Sequence, residues 1–421
     1  MLPLPSLKNE KNMNSESNIK SLVKKLGPFM GLILIFITGA ILNGRTFFSL
    51  YNQLNVLGRI SIIALPAVGM TLVILSAGID LSVGSLVSLS TVVCAMLLME
   101  RDWTRASALS IPIFIIIVFI ASYTIFSWAL KRFKKNKSLT FIRIILAIIL
   151  AVIISVWCLK QIQTGFSTFA VLLIVPVFGV FLGFINGTII AKGKIQPFIA
   201  TLGMMCAAIG LAKFIAGKGG QIHPIYYEAV GYSAEGTIHI APHNFDFLSA
   251  KVSIFGLKIF PVAGFFFIIA VIIIHFILTR LKFGRYVYAI GGNEETARLS
   301  GINVDRVKTM VYGISGGLSA LGAVLYCAAY TQGKPDAGFT WELDAIAAVV
   351  IGGTSLMGGK GSVIGTMVGV LILGYLSNIL NLQEVPSEVQ DILKGIIIIS
   401  AVLVQEGTLL RWVKRLVSSY R

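Results

Sequence analysis

The chain has 421 residues, 56% of them hydrophobic and 13% charged, with a mean hydropathy of +0.88. That balance excludes a soluble domain, and continuous apolar runs without alternating polar positions exclude a membrane β-barrel. The formal net charge of +17 comes from basic residues that flank apolar runs, a placement that fits loops beside anionic lipid and argues against a nucleic-acid partner.

The chain opens with a polar, basic stretch, residues 1–28, in which Met13 is an alternative initiator and no cleavable signal precedes the first apolar run. Apolar runs able to cross about 30 Å of hydrocarbon as helices come next at 29–42, 60–77, 83–99, 111–130, 141–159 and 169–190. Six more lie at 195–212, 260–278, 310–329, 345–357, 363–380 and 392–404, the shorter ones reading as broken or re-entrant spans. The expected fold class is all-α: a polytopic transmembrane helical bundle over residues 29–405, ending in a basic tail at 406–421.

Charge bias orients this layout. Lys20, Lys24 and Lys25 hold the N-terminus in the cytoplasm, and twelve crossings then place Lys131, Arg132, Lys134, Lys135 and Lys137 on the same side. Lys192, Lys194, Arg280, Lys282, Arg285, Arg411, Lys414 and Arg415 also fall there, so both termini are expected inside. The 217–258 loop falls outside, where Lys218, Lys251 and Lys258 are balanced by Glu228, Glu235 and Asp246.

Two glycine-rich breaks interrupt the apolar pattern. The first, Gly78-Ile-Asp80-Leu-Ser82-Val-Gly84, holds a carboxylate beside hydrocarbon, where an unpaired charge is costly. Asp80 reads as a cap for a helix beginning near Ser82 or as part of an inner gate beside a translocation path. Glu342 and Asp344 begin a later span in the same way. The second break runs through Thr354, Gly358 and Gly361. Val73 to Gly78 resembles Val349 to Thr354, and each precedes a second apolar run, so a duplicated, interrupted span is one reading and shared composition the other.

The longest polar loop on the basic side, residues 279–309, contains Asn293-Glu294-Glu295, an N-cap followed by two acids suited to a helix start, and Gly301 suits its end. A short surface helix carrying Arg298 is expected there. Small residues every fourth position, Gly179-Gly183-Gly187 and Gly361-Gly365-Gly369, read as helix-packing stripes.

Catalytic and metal chemistry find no support. Thr354 to Gly361 approaches a phosphate-binding loop but lacks its first glycine and its hydroxyl residue, so no nucleotide site is expected. His239 and His243 are interrupted by Pro242 and read as loop histidines; no metal and no cofactor are expected. Cys94, Cys158, Cys206 and Cys327 read as small core residues.

The stretch from Ala64 to Met99, with Gln196 to Gly203 (QPFIATLG), Phe283 to Gly301 (FGRYVYAIGGNEETARLSG) and Glu342 to Gly361 (ELDAIAAVVIGGTSLMGGKG), resembles the permease subunits of bacterial ATP-binding-cassette importers for ribose, galactosides and related monosaccharides. The resemblance implies a plasma (inner) membrane protein with about ten core spans. Residues 101–164, holding two apolar runs, then form an inserted pair that preserves the orientation of the later spans. It further implies a channel-forming subunit rather than an enzyme, a separate ATP-binding subunit, a solute-binding protein, and a homodimer or a heterodimer with a related permease. Asn293, Glu294, Glu295, Arg298 and Gly301 become the ATPase-coupling helix under that resemblance, and Gly78, Asp80, Ser82, Gly84, Thr354, Gly358 and Gly361 become gate or helix-break residues. The scarcity of ionisable residues within the spans argues for an uncharged solute and an external energy source. A secondary carrier for a neutral metabolite is the alternative.

Overall fold

A computed structural model describes residues 7–98, 168–216, 238–239, 246–254 and 257–405. The 111–130 and 141–159 runs, Cys158, Lys131 to Lys137, the 406–421 tail and most of the 217–258 loop lie outside the described residues.

The first helices are α1 (Leu7–Phe48), α2 (Leu50–Leu75) and α3 (Val83–Leu98), followed by α4 (Thr168–Gly193) and α5 (Pro197–Ala216). The short strand β1 (Ile238–His239), the single turn α6 (Asp246–Ser249) and a hairpin of β2 (Lys251–Ile254) and β3 (Leu257–Pro261) come next. They lead into α7 (Val262–Arg280), α8 (Lys282–Gly292), α9 (Glu294–Leu299) and α10 (Val304–Tyr330). The chain closes with β4 (Gln332–Gly333), α11 (Trp341–Ile351), α12 (Val363–Leu382) and α13 (Ser387–Gln405). Seven described helices are long and apolar enough to cross a membrane: α1 from Gly27, α2, α4, α5, α7, α10 and α12. The molecule is a polytopic helical bundle.

At its centre stands α2, apolar on all sides and buried from Ala64 through Leu75, the pattern of a helix surrounded by others. It packs against α10, α11, α12 and α7. The most extensive helix pair is α4 with α10. Gly179 faces Gly316 and Ala320, Gly183 faces Tyr312 and Gly313, and Gly187 faces Thr309, so side chains there would strike the neighbouring backbone. Two members of the second stripe do the same between α11 and α12, Gly365 lying on Gly352 and Gly369 on Ala348. Gly361 (φ 149°) instead precedes α12 in the turn and lies against Thr354. Both stripes therefore join helices of one chain. Outer faces stay apolar: Leu173, Val177, Ile199, Ile272 and Ile396 are exposed. Cys94 and Cys327 are buried as expected, but Cys206 is exposed on α5, a helix that turns most of its apolar surface away from the bundle.

The two ends of the bundle are defined by contacts. At one end, α2 begins where α12 finishes: Asn52 and Asn378 exchange side-chain hydrogen bonds of 3.0 and 2.9 Å, and Tyr375 donates to Gln53 at 2.7 Å. The antiparallel pair β1–β4 follows the C-terminal end of α10. At the other end, Leu75, the 352–362 turn and α8 meet. We refer to these as the Asn52 end and the Leu75 end.

The expected 345–357 span takes a different form. Helix α11 has only 11 residues and is preceded by a non-helical segment lying along α3. Lys334 N–H donates to Thr91 Oγ1 at 3.2 Å, and Gly338 N–H donates to Ser88 Oγ at 2.9 Å. Gly84 and Gly338 lie against each other, and Gly84 also faces Glu342. The segment runs as consecutive turns, with Ala337 N–H on Lys334 O and Phe339 N–H on Asp336 O, both at 3.1 Å. It occupies the depth of α3, and α11 is the helical half of a discontinuous span.

Candidate functional site

The site assembles at the Leu75 end from two helix breaks and one loop. Each break is a helix terminus of the same design. After α2, Ala77 N–H reaches Ile74 O and Gly78 N–H reaches Val73 O, both at 3.0 Å. After α11, Gly353 N–H reaches Val350 O at 2.8 Å and Thr354 N–H reaches Val349 O at 3.1 Å. These paired bonds are Schellman closures, which require a left-handed residue at the turn. Ala77 (φ 57°) and Gly353 (φ 87°) fill that position. The left-handed conformation in the first break therefore falls on Ala77, not on Gly78. Gly78 is needed for space instead, since a Cβ there would stand 2.6 Å from the Tyr312 hydroxyl.

Each break then restarts a helix with a serine cap. Ser82 O accepts from Leu86 N–H at 2.8 Å to begin α3, and Ser362 Oγ accepts from Gly365 N–H at 3.1 Å to begin α12. Asp80 supports the first restart: its Oδ1 accepts from Ser82 N–H at 3.0 Å and from Ser82 Oγ at 2.6 Å. The carboxylate thus holds the capping residue itself rather than the amides of the first turn. Its other oxygen is 3.4 Å from Ser315 Oγ on α10, and Asn186 on α4 donates to Ser82 Oγ at 3.2 Å. Asp80 is 1% exposed, and no salt bridge to it occurs among the described residues. Hydrogen bonds to the carboxyl oxygens are what offset the loss of solvation.

The breaks touch each other. Gly359 N–H donates to Leu75 O at 3.0 Å, and Gly358 (φ 83°) packs on Ala77. Slightly deeper, Thr71 and Thr366 share a buried hydroxyl–hydroxyl bond of 2.7 Å. Gly361 lies against Thr354 across the turn.

The 279–309 loop docks on this junction. Helix α8 places Gly291 directly against Leu75 O and Gly359 N, and Tyr288 donates its hydroxyl to Gly361 O at 2.9 Å. Beyond it, Asn293 caps α9, its Oδ1 accepting from Thr296 N–H at 2.8 Å. Gly301 (φ 83°) closes α9 with Ile302 N–H on Ala297 O at 3.1 Å. Glu294 bonds Lys308 at 2.6 Å and Arg298 at 3.4 Å, and Arg298 reaches Asp305 at 3.2 Å. Partial burial alone would raise the Glu294 carboxyl, but Lys308 and Arg298 outweigh it and hold it below the ordinary value of 4.5. Glu295 faces solvent, and Leu299 is 83% exposed, an apolar side chain standing on a charged helix.

The sequence points to Asp80, Ser82, Thr354 and the break glycines. The fold brings the two turns together through Leu75, Ala77, Gly358 and Gly359. Asp80 and Ser82 instead bond Ser315 and Asn186, Gly84 faces Gly338 and Glu342, and Gly361 lies against Thr354. The sequence does not point to Ala77, Tyr288, Gly291 or Leu299. Only the amphipathic spacing of residues 282–292 could have signalled α8. Among the described residues no group of three or more His, Cys, Asp or Glu is placed to hold a metal ion.

The family described as branched-chain amino acid transport system / permease component matches residues 52–402. The ribose import permease protein RbsC of Haemophilus influenzae is 36% identical over 394 residues, covering 93% of this chain and 96% of the relative. RbsC of Bacillus subtilis is 36% identical over 90% of this chain and 92% of its own. The xylose transport system permease protein XylH of Escherichia coli is 32% identical over 94% and 98%. No solved structure matches the chain. A family match across the span bundle, with relatives aligned nearly end to end, shows that the chain belongs to this family of transport-system permease components.

Proposed function

We propose that this chain is the membrane-spanning permease subunit of an ATP-binding-cassette importer, forming the path for a ribose-like or galactoside-like monosaccharide delivered by a solute-binding protein. The Leu75 end faces the cytoplasm, where a separate ATPase subunit engages α9, and the Asn52 end faces outward. Ten spans form the core, residues 101–164 add a pair, and a second permease subunit, identical or related, completes the path within the lipid bilayer.

One observation carries this reading: α8, outside the spans, contacts both helix breaks at once through Gly291 and Tyr288. A push on α9 reaches α8 through Asn293, and α8 bears on the joint where α2 and α11 end. Breaks in spans are where transporter helices change direction and gate a path. The relatives named for ribose and xylose import support the sugar class.

The test is uptake by sealed vesicles containing the permease, its ATPase and its binding protein. ATP-dependent accumulation of a monosaccharide, absent without either partner, is expected. Uptake driven by an ion gradient with the ATPase missing would instead establish the secondary-carrier reading.

A further inference from the structure

Towards the Asn52 end lies a cavity of about 360 Å³ bounded by α2, α11, α12 and α13, within the about 300–1,000 Å³ range of small-molecule sites. Its apolar side is formed by Ile60, Ile63, Ala348 and Leu373. Opposite stand Asn378 and Asn381 of α12 and Gln390 of α13, with Trp341 at the start of α11. Gln390 donates to Asn381 Oδ1 at 2.9 Å.

The charges lining the cavity balance. Lys394 stands 3.5 Å from both Asp344 and Asp391, and Arg59 supplies a second cation. Two carboxylates and two cations sum to no net charge, so the lining gives an anion or a cation no overall electrostatic preference over a neutral solute. Amides and paired charges offer both donors and acceptors, while Trp341 and the aliphatic wall offer apolar surface. A cyclic polyol has both faces, hydroxyls on its rim and C–H groups on its ring. The cavity also opens at the N-terminal end of α11, the helical half of a discontinuous span, which is where transporters commonly build solute sites.

We propose that this cavity is a binding site for a neutral monosaccharide within a single permease subunit, occupied between delivery from the Asn52 end and passage towards the breaks. Asn381 and Gln390 bond the hydroxyls, and Trp341 packs on the ring. The proposal rests on the sugar-permease reading for its substrate class.

The test uses the full-length permease in lipid nanodiscs, with the chain's five tryptophans reduced to Trp341 alone. Its emission is titrated with ribose, xylose and galactose, and separately with inorganic phosphate. A saturable response to at least one of the sugars is expected, with none to phosphate. Asn381→Leu and Gln390→Leu, which keep side-chain volume, should each weaken binding by about tenfold, the loss of one net hydrogen bond. Calorimetry on the parent and on Trp341→Phe provides the same comparison should the reduced-tryptophan chain fail to fold. No saturable response to any sugar, an unchanged affinity in both leucine variants, or a response to phosphate alone overturns the site. ATP-driven uptake is read in parallel: uptake without a Trp341 response defeats the site alone, and a Trp341 response without uptake defeats the transport reading alone.

Discussion

The amide of Gly359 donates to the carbonyl of Leu75 at 3.0 Å, joining the turn after α11 to the last residue of α2. Gly291 of α8 lies against both of those groups. One junction thus ties together two interrupted spans and the loop helix proposed to receive the ATPase stroke.

The two breaks differ at one informative position. Ala77 holds a left-handed conformation that costs an L-residue about 1–2 kcal/mol, whereas Gly353 holds its equivalent freely. Gly353→Ala should destabilise the protein by about 1 kcal/mol, because its Cβ meets only Pro28 at 3.7 Å and the backbone is the sole source of strain. Ala77→Gly should leave stability unchanged or raise it by up to about 1 kcal/mol. Thermal unfolding of the two variants in lipid measures both.

Outer and inner ends are distinguishable by labelling. Single cysteines at Leu299 and Glu384, both exposed, would be introduced after replacing the native cysteines. An impermeant thiol reagent added to intact cells should label Glu384→Cys and leave Leu299→Cys unmodified until the membrane is opened. The reverse pattern would invert the orientation.

Charge reversal on α9 should act on the partner and not on insertion. Glu295→Lys with Arg298→Glu alters an exposed six-residue helix, so expression should be retained while co-purification of the ATPase and uptake both fall. Leu299→Asp should have the same effect, as truncated interface anchors cost about 2 kcal/mol or more.

The Glu294 cluster should loosen in acid. Its carboxyl is held below the ordinary value of 4.5 by Lys308 and Arg298, so its contribution to order is present above that unfolded-state value. That contribution is lost as pH falls through the lower folded-state value. Hydrogen exchange of the 293–303 segment, corrected for intrinsic pH dependence, should show protection that is constant at neutral pH and declines below about pH 4.

Helical spans, the two breaks and the capped helix at Asn293 were legible in the sequence, because apolar length, glycine punctuation and capping residues act locally. The likeness of Val73–Gly78 to Val349–Thr354 was legible too, though not that Ala77 takes the left-handed turn, since alanine carries no local signal for that conformation. The turn segment before α11 was not legible as a partner of α3, because Ser88 and Thr91 are 250 and 243 residues away in the chain. Gly291 was hidden for the same reason: its need for space comes from Leu75 and Gly359, which no local pattern links to it.

Transmission of force from α9 through α8 to the breaks is open to one direct test, a pair of glycine variants. Gly291→Ala places a methyl against the backbone of Leu75 and Gly359, while at Gly292 the added Cβ meets nothing within 4 Å. Overpacking against backbone costs about 1–3 kcal/mol, enough to shift the junction without preventing insertion. In vesicles carrying the complete importer, Gly291→Ala should still bind the ATPase but lose about tenfold or more of ATP-driven uptake, and Gly292→Ala should retain it. Uptake by Gly291→Ala equal to the parent would contradict the coupling route.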